Sequence, residues 1–414
     1  MNRRSLLGLG GAAAVSVATA LQHRGSRPGR RWLPTWVAMP QLTEPHNLPP
    51  APFTGTDSVL VDATLRQTVH PSVAGSAVRV RFSNAFGGAP LPLTAVSLAR
   101  PAGGRAGVAA IEPGSSRPVT FGGRPSVTVP IGAQVVSDPV VMPVAGELTV
   151  TAYLATGQAS TSVTSHPGSR TTSHLLRGDH HEAVDLPGAT ATDHWYLISG
   201  VEVLAPADLS ATIVLGDSLT DGRGSTTNGN DRWPDRLNER LRGRHAVLNQ
   251  AAGGNRVLQD GLGPSALARL DRDVLAVGGA VALIVFEGVN DIGTAAATPA
   301  AQQAVGDELV FAHDQIITRA HARDLRVYGA TLTPLGGNTG YDDPDGLRER
   351  TRTRLNEWIR GAGRFDGVAD FDAAVRDPAA PRQLNPLFDT GDHLHLNPAG
   401  YQALADAVPG RWFR

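Results

Sequence analysis

The 414-residue chain has no cysteine, and each of its 37 lysine-plus-arginine positions is an arginine. Without cysteine there is no disulfide framework, thiolate zinc site, iron–sulfur cluster, cysteine nucleophile or lipid-modified cysteine. Without lysine there is no Schiff base, no pyridoxal phosphate linkage, no phosphate-gripping P-loop lysine and no Ser-Lys dyad. An excess of one charge is missing too. Arginines nearly balance the 38 acidic residues, and the net charge of −1 gives no field to steer nucleic acid or an anionic lipid surface. What remains is 41% hydrophobic and 18% charged, a balance that suits globular folding and argues against global disorder. No cofactor and no metal are expected.

Long hydrophobic runs are also scarce. The one at the N-terminus, within "MNRRSLLGLGGAAAVSVATALQHRGSRPGRR", runs from Leu6 to about Leu21 and is short for a membrane span. Arg3 and Arg4 precede it and the small residues Ala18-Thr19-Ala20 close it, so it has the three parts of a secretory signal. The Arg-Arg-Ser-Leu-Leu order resembles a twin-arginine export signal. Residues 1–31 are therefore read as signal and linker. The protein is expected to be secreted or extracytoplasmic, with no stable membrane span after processing.

The rest divides into two halves. Residues 32–206 carry short β-type runs, such as "SAVRVRF" (Ser76 to Phe82) and "ELTVTAYLA" (Glu147 to Ala155), with the period-two alternation of half-buried strands. "GGAP", "PAGG" and "GGRP" supply turns, and the pattern predicts an all-β sandwich, jelly-roll-like, as an accessory domain. From 207 to 414, apolar strand-like runs at Thr212–Leu215, Ala246–Leu248, Val281–Phe286, Arg326–Leu332 and Gly367–Phe371 alternate with helical patterns. Between Asp307 and Ala322, Leu309, Ala312, Ile316, Ile317 and Ala320 share one helical face. These features predict a three-layer α/β/α, flavodoxin-like unit with a five-stranded parallel sheet. All residues assigned to chemistry lie after Ala211. A fragment starting near Ala205 is large enough to be expected to fold alone and keep some activity on a small ester.

In such a sheet, ligands bind where loops leave the carboxyl ends of the strands. Polar stretches fall there four times: Gly216-Asp217-Ser218, "NQAAGGNR" (Asn249 to Arg256), "EGVND" (Glu287 to Asp291) and "GDHLHLNPAGY" (Gly391 to Tyr401). A serine hydroxyl needs an adjacent base, and that base needs an orienting group. Asp392 stands three residues before His395, so one turn can hold carboxylate and imidazole together, leaving Nε2 for the proton of Ser218. Backbone N–H groups of Ser218 and Gly254, with the side-chain amide of Asn290, can hold the oxyanion of a tetrahedral intermediate.

With these blocks in this order, the second half resembles the SGNH or GDSL hydrolases, a family of serine esterases and lipases. "GDSLTDG" supplies nucleophile Ser218, "NQAAGGN" the oxyanion glycine Gly254, "GVND" Asn290, and "DHLH" the Asp392 and His395 of the family's Asp-x-x-His. The resemblance spans about Ala211 to Phe413. It departs at Ala251, where the family often has glycine; no catalytic atom is lost. "LRQTVHPS", "RVRFSNAFG", "RWPDRL", "FEGVNDIG" and "DFDAAVRDP" are similar to a secreted two-domain branch, related to acyl or aryl esterases of xylan-degrading bacteria. The resemblance implies a carboxylic ester hydrolase using a Ser218–His395–Asp392 triad on an acylated polysaccharide, a lipid or a small aryl ester.

Competing readings are specific. His393 is the rival base, and Asp217 is read as supporting the turn. Trp233 is read as packing near the rim or in the core, with an acyl-pocket lining as the rival. "GDHHEAVD" (Gly178 to Asp185) gathers metal-ligating types without the His-Glu-x-x-His spacing and is read as a solvated loop. Thr220 occupies the second glycine position of a Gly-x-Ser-x-Gly elbow, which excludes that template. A two-carboxylate glycosidase would use two of Asp217, Asp221, Glu287 and Asp291. A surface carbohydrate-binding protein would keep the hydrolase half inactive.

Overall fold

The computed structural model describes residues 29–413. Arg3, Arg4 and the apolar run read as an export signal lie outside these residues. Among the described residues, no helix is long and apolar enough to cross a membrane.

The first half is built of antiparallel sheets. One has four strands in the order Arg30–Val37, Ile198–Pro206, Val78–Ser83, Gln134–Val136. A second has six: Thr190–Thr192, Ser173–Arg177, Ala63–Val69, Leu148–Leu154, Ala95–Ala99 and Arg117–Pro118. A small third sheet joins Trp195–Tyr196, Thr164–His166 and Gln41–Leu42. Val78–Ser83 keeps the alternation its sequence predicts. Val78, Val80 and Phe82 are buried, while Arg79 and Arg81 reach Glu202 on the neighbouring strand at 2.5 and 2.7 Å. Leu148–Leu154 departs from the half-buried expectation, because Thr149 and Thr151 are buried along with the apolar residues. The fully buried Arg66 explains part of this. It lies across the polar face of the strand, donating to Thr151 Oγ1 at 3.0 Å and to the Ala109 and Ala183 carbonyls at 2.6 Å each.

The second half contains the five-stranded parallel sheet. Its strands are β1 (Ala211–Gly216), β2 (Ala246–Ala251), β3 (Ala280–Phe286), β4 (Arg326–Ala330) and β5 (Gly367–Ala369). Their spatial order is β2-β1-β3-β4-β5, so the chain reverses direction across the sheet beside β1. Right-handed crossovers then fix the layers. Helix α2 (Trp233–Leu241), between β1 and β2, packs with α6 (Pro398–Ala407) on one face. Helices α4 (Pro299–His321) and α5 (Leu347–Gly361), from the β3–β4 and β4–β5 crossovers, pack together on the other. Leu309, Ala312, Ile316, Ile317 and Ala320 are all buried on α4. That helix begins earlier than its apolar spacing suggests, at Pro299, where Thr298 Oγ1 accepts the Ala301 N–H at 3.3 Å.

The two halves meet along a buried seam. Arg30–Val37 packs against β2, and the cores of both halves form one contiguous apolar cluster. Arg232 donates to the Ser169 carbonyl at 2.8 Å, with its guanidinium 5.5 Å from the Trp195 ring centroid. Arg170 donates to the Ser225 carbonyl at 2.6 Å, and the Thr172 N–H donates to Asn228 Oδ1 at 2.8 Å. His166 meets Asp221 across the seam at 2.8 Å, both buried. Length alone suggests that the second half would fold by itself; the seam points the other way. Leaving one partner of a buried hydrogen bond unsatisfied costs about 1–3 kcal/mol, and several such contacts make up a large part of the about 5–15 kcal/mol by which proteins are stable. A fragment starting near Ala205 is therefore expected to aggregate or melt well below the intact protein, and the intact protein to unfold in one transition by calorimetry. A fragment melting cooperatively at the parent temperature would show two independent cores.

Candidate active site

The geometry of the site begins with the exit from β1. All six residues of that strand are buried. At Gly216 a Cβ would lie 2.4 Å from Thr220 Oγ1 and 3.0 Å from the Phe286 carbonyl oxygen, so only glycine lets the chain turn there. Asp217 caps the turn that follows, its Oδ1 accepting the Leu219 N–H at 2.9 Å. Helix α1 (Ser218–Asp221) is a single turn and stops at Gly222, which takes φ +99°. Ser218 thus stands at the carboxyl end of β1 in a tightly determined position. Asp217 has the structural role read from the sequence, and Trp233 is fully buried, packed edge-on against Phe371.

His395 reaches Ser218 from a loop near the C-terminus. Asp392 Oδ1 accepts the backbone N–H groups of Leu394 (3.0 Å) and His395 (2.8 Å), which folds the segment into a turn. Asp392 Oδ2 lies 2.6 Å from His395 Nδ1, and His395 Nε2 lies 2.9 Å from Ser218 Oγ. With Nδ1–H donated to the carboxylate, Nε2 offers a lone pair to the serine hydroxyl. Burial opposes charge on Asp392, but the His395 N–H and ring and the Leu394 N–H outweigh it and hold the carboxyl down at about 2. Burial pushes the His395 imidazole below its ordinary value of 6.5 against the opposing pull of Asp392. The rival histidine is turned away. His393 is largely exposed and bonds Asp389 Oδ2 at 2.6 Å.

Gly254 and Asn290 border the same cavity of about 430 Å³ as Ser218 and His395. Gly254 takes φ +69°, a conformation that suits glycine. Asn290 lies on the short helix α3 (Val289–Thr294). Its Nδ2 donates to the Asn255 carbonyl at 2.8 Å and its Oδ1 accepts the Tyr341 hydroxyl at 2.7 Å. This fixes the amide and leaves a second N–H on Nδ2. Among the described residues, the Ser218 and Gly254 N–H groups have no protein acceptor. Tyr341 does not stand out in the sequence; it comes from the loop after β4, about 50 residues from its partner, and carries no motif.

Three of the four carboxylates of the glycosidase reading stand away from the cavity. Asp217 caps α1, and burial pushes its carboxyl up to about 7. Asp291 accepts the Val257 and Leu258 N–H groups at 2.9 and 3.0 Å. Glu287 is fully buried, which pushes its carboxyl well above the usual range; Arg269, at 3.8 Å, is too distant to offset this. Only Asp221 borders the cavity. In the Gly178–Asp185 loop, Asp179 and His181 pair with each other at 2.6 Å, and the His180 ring bonds the Arg177 carbonyl.

The parallel sheet in the 2-1-3-4-5 order thus carries a serine, a histidine and an amide at its carboxyl edge, where ligands bind in such sheets. Residues 214–403 match the GDSL-like lipase/acylhydrolase family, a match that supports a serine ester hydrolase. No curated protein matches the chain. Among solved structures it is similar to a GDSL-like lipase from Bacteroides thetaiotaomicron, with 16% identity, 48% of this chain and 85% of the other covered, and a TM-score of 0.36. It is similar to an acetyl xylan esterase (19% identity, 48% and 97% covered, TM-score 0.37). A lipase/acylhydrolase from Enterococcus faecalis is also similar (18%, 48% and 93%, TM-score 0.36).

The titration of His395 predicts the acid limb of the rate profile. Protonated imidazole cannot accept the serine proton, so kcat/KM should rise with pH as His395 loses its proton. Because burial depresses the folded value, the midpoint should fall below 6.5. A profile of kcat/KM between pH 4 and 8 on a soluble ester checks this; a midpoint above 7 would contradict it.

Proposed function

We propose that the protein is an exported carboxylic ester hydrolase working through a Ser218–His395–Asp392 triad. One observation carries this reading: the unbroken hydrogen-bonded line from Asp392 through His395 to Ser218, at 2.6 and 2.9 Å, opening into a cavity. Ser218 Oγ attacks the ester carbonyl while His395 Nε2 takes its proton. The N–H groups of Ser218 and Gly254 and the Asn290 amide receive the oxyanion. The imidazolium then protonates the departing alkoxide. Water, deprotonated by the same Nε2, releases the acid from the acyl-enzyme and restores Ser218. Asp392 stays ionised throughout and holds the imidazole in the tautomer the sequence of steps needs.

The polar side chains that the first half adds to the cavity suit a hydroxyl-rich alcohol. Glu44, Asn47, Arg170, Asp193 and His194, all from the first half, border it. Acylated polysaccharide is therefore the preferred substrate class. The paired arginines, apolar run and small residues at the N-terminus support export. The glycosidase alternative is weakened, since three of its four carboxylates are committed to backbone caps or buried away from the cavity. An inactive binding protein would have no need of a histidine poised on the serine.

Ser218→Ala is expected to lower kcat on p-nitrophenyl acetate by about 10³-fold or more. Asn290→Ala should lower it by about 10²–10³-fold, the range for one lost oxyanion donor. Circular dichroism should be unchanged in both. Near-parental turnover in the serine variant would sink the mechanism, and a change confined to KM would make Asn290 a substrate-binding residue instead.

A further inference from the structure

The proposed oxyanion loop is held from outside the hydrolase half. Ala252 is fixed by its N–H, which donates to the Gly216 carbonyl at 3.1 Å. Asn255 is fixed by its side chain, which donates to the Pro264 carbonyl at 2.8 Å and accepts from Arg269. Between them, the Gly253 N–H donates to Asp221 Oδ2 at 3.0 Å. The other oxygen of Asp221 meets His166 Nε2 at 2.8 Å. His166 belongs to the strand Thr164–His166 of the antiparallel half.

Everything around His166 restricts it to this contact. Its Nδ1–H donates to the Met39 carbonyl at 3.0 Å, and its ring stacks on Trp195 at 5.8 Å between centroids. Both His166 and Asp221 are almost wholly excluded from solvent. The backbone two residues on presses against the same carboxylate: a Cβ at Gly168 would lie 1.8 Å from Asp221 Oδ2. Nδ1 is committed to a carbonyl, so one proton is shared between Nε2 and Oδ1. That proton holds the carboxylate, and its second oxygen in turn holds the peptide N–H immediately before Gly254.

We propose that His166 is a positioning residue for ester hydrolysis, setting the Gly254 oxyanion donor through Asp221 and the Gly253 N–H. The proposal rests on the oxyanion role assigned to Gly254 above. It gives the antiparallel half a part in the chemical step that substrate binding alone would not supply. A donor displaced by about 1 Å can cost on the order of 10²-fold in rate. The loss belongs to the transition state, because the ground-state carbonyl asks less of the donor than the oxyanion does.

The test uses the full chain with His166→Ala, His166→Phe and His166→Gln. Phe keeps a ring against Trp195 but has no donor, whereas Gln restores one donor. On p-nitrophenyl acetate, the Ala and Phe variants should lose about 10- to 100-fold in kcat, with KM changed less than about twofold, and Gln should recover most of the loss. Affinity for an alkylboronic acid, whose tetrahedral adduct puts an oxygen in the oxyanion position, should fall in step with kcat. Should Ala fail to fold, the contrast of Phe with Gln decides the same point. A folded Ala or Phe variant with parental kcat, or with a rise in KM alone, overturns the proposal. Ser218→Ala run alongside separates the two levels: if it is inactive while the His166 variants are unaffected, only this inference fails.

Discussion

The rest of the site depends on how the chain leaves β1. There is no room for a Cβ at Gly216, between Thr220 and the carbonyl of Phe286 on the neighbouring strand, so only glycine fits where the turn begins. Asp217 then commits its carboxylate to the Leu219 N–H, and Gly222 ends the helix after one turn. Ser218 is left at the edge of the sheet with its N–H unused and its hydroxyl on His395. Loops from three other strands converge on that point. This is why residues 36, 72 and 177 positions further along the chain can share one cavity with it.

The electrostatics around this point separate into two zones. Behind the serine lie buried carboxyls: Asp217 and Glu287, whose burial pushes them toward their protonated forms, and Asp291, which burial also raises against two backbone N–H groups. In front, Asp392 is half-exposed and bonded to donors on both oxygens, so it stays ionised. Only a carboxylate of the second kind can support an imidazolium beside it. The contrast assigns structural work to the acids of the "GDS" and "GVND" blocks and electrostatic work to the acid of "DHLH".

Much of this was legible in the sequence. Five apolar runs marked the parallel sheet because strands covered on both faces must be apolar throughout. The motif residues were visible because their chemistry tolerates few substitutes and their spacing is local: Asp392 and His395 meet within one turn. The start of α4 was hidden, because the stretch from Ala295 to Ala304 offers mostly alanine and no contrast between faces. The burial of Thr149 and Thr151 was hidden by alternation that looked like solvent exposure, while an arginine from the next strand covered Thr151. Tyr341 and His166 were illegible for another reason. Each acts through one contact with a residue about 50 positions away, and no local pattern announces such a pair. The polar contacts of the seam likewise run through backbone carbonyls and single side chains, which leave no periodic trace.

The central claim is that Ser218 is reactive because His395, held by Asp392, can take its proton. The most direct measurement is covalent labelling of the intact protein with a fluorophosphonate, followed by peptide mass spectrometry and by labelling rates for the parent and His395→Ala. The account predicts a single adduct on Ser218, formed at least about 10²-fold more slowly without the imidazole. An adduct on another residue, or a labelling rate indifferent to His395, would contradict it.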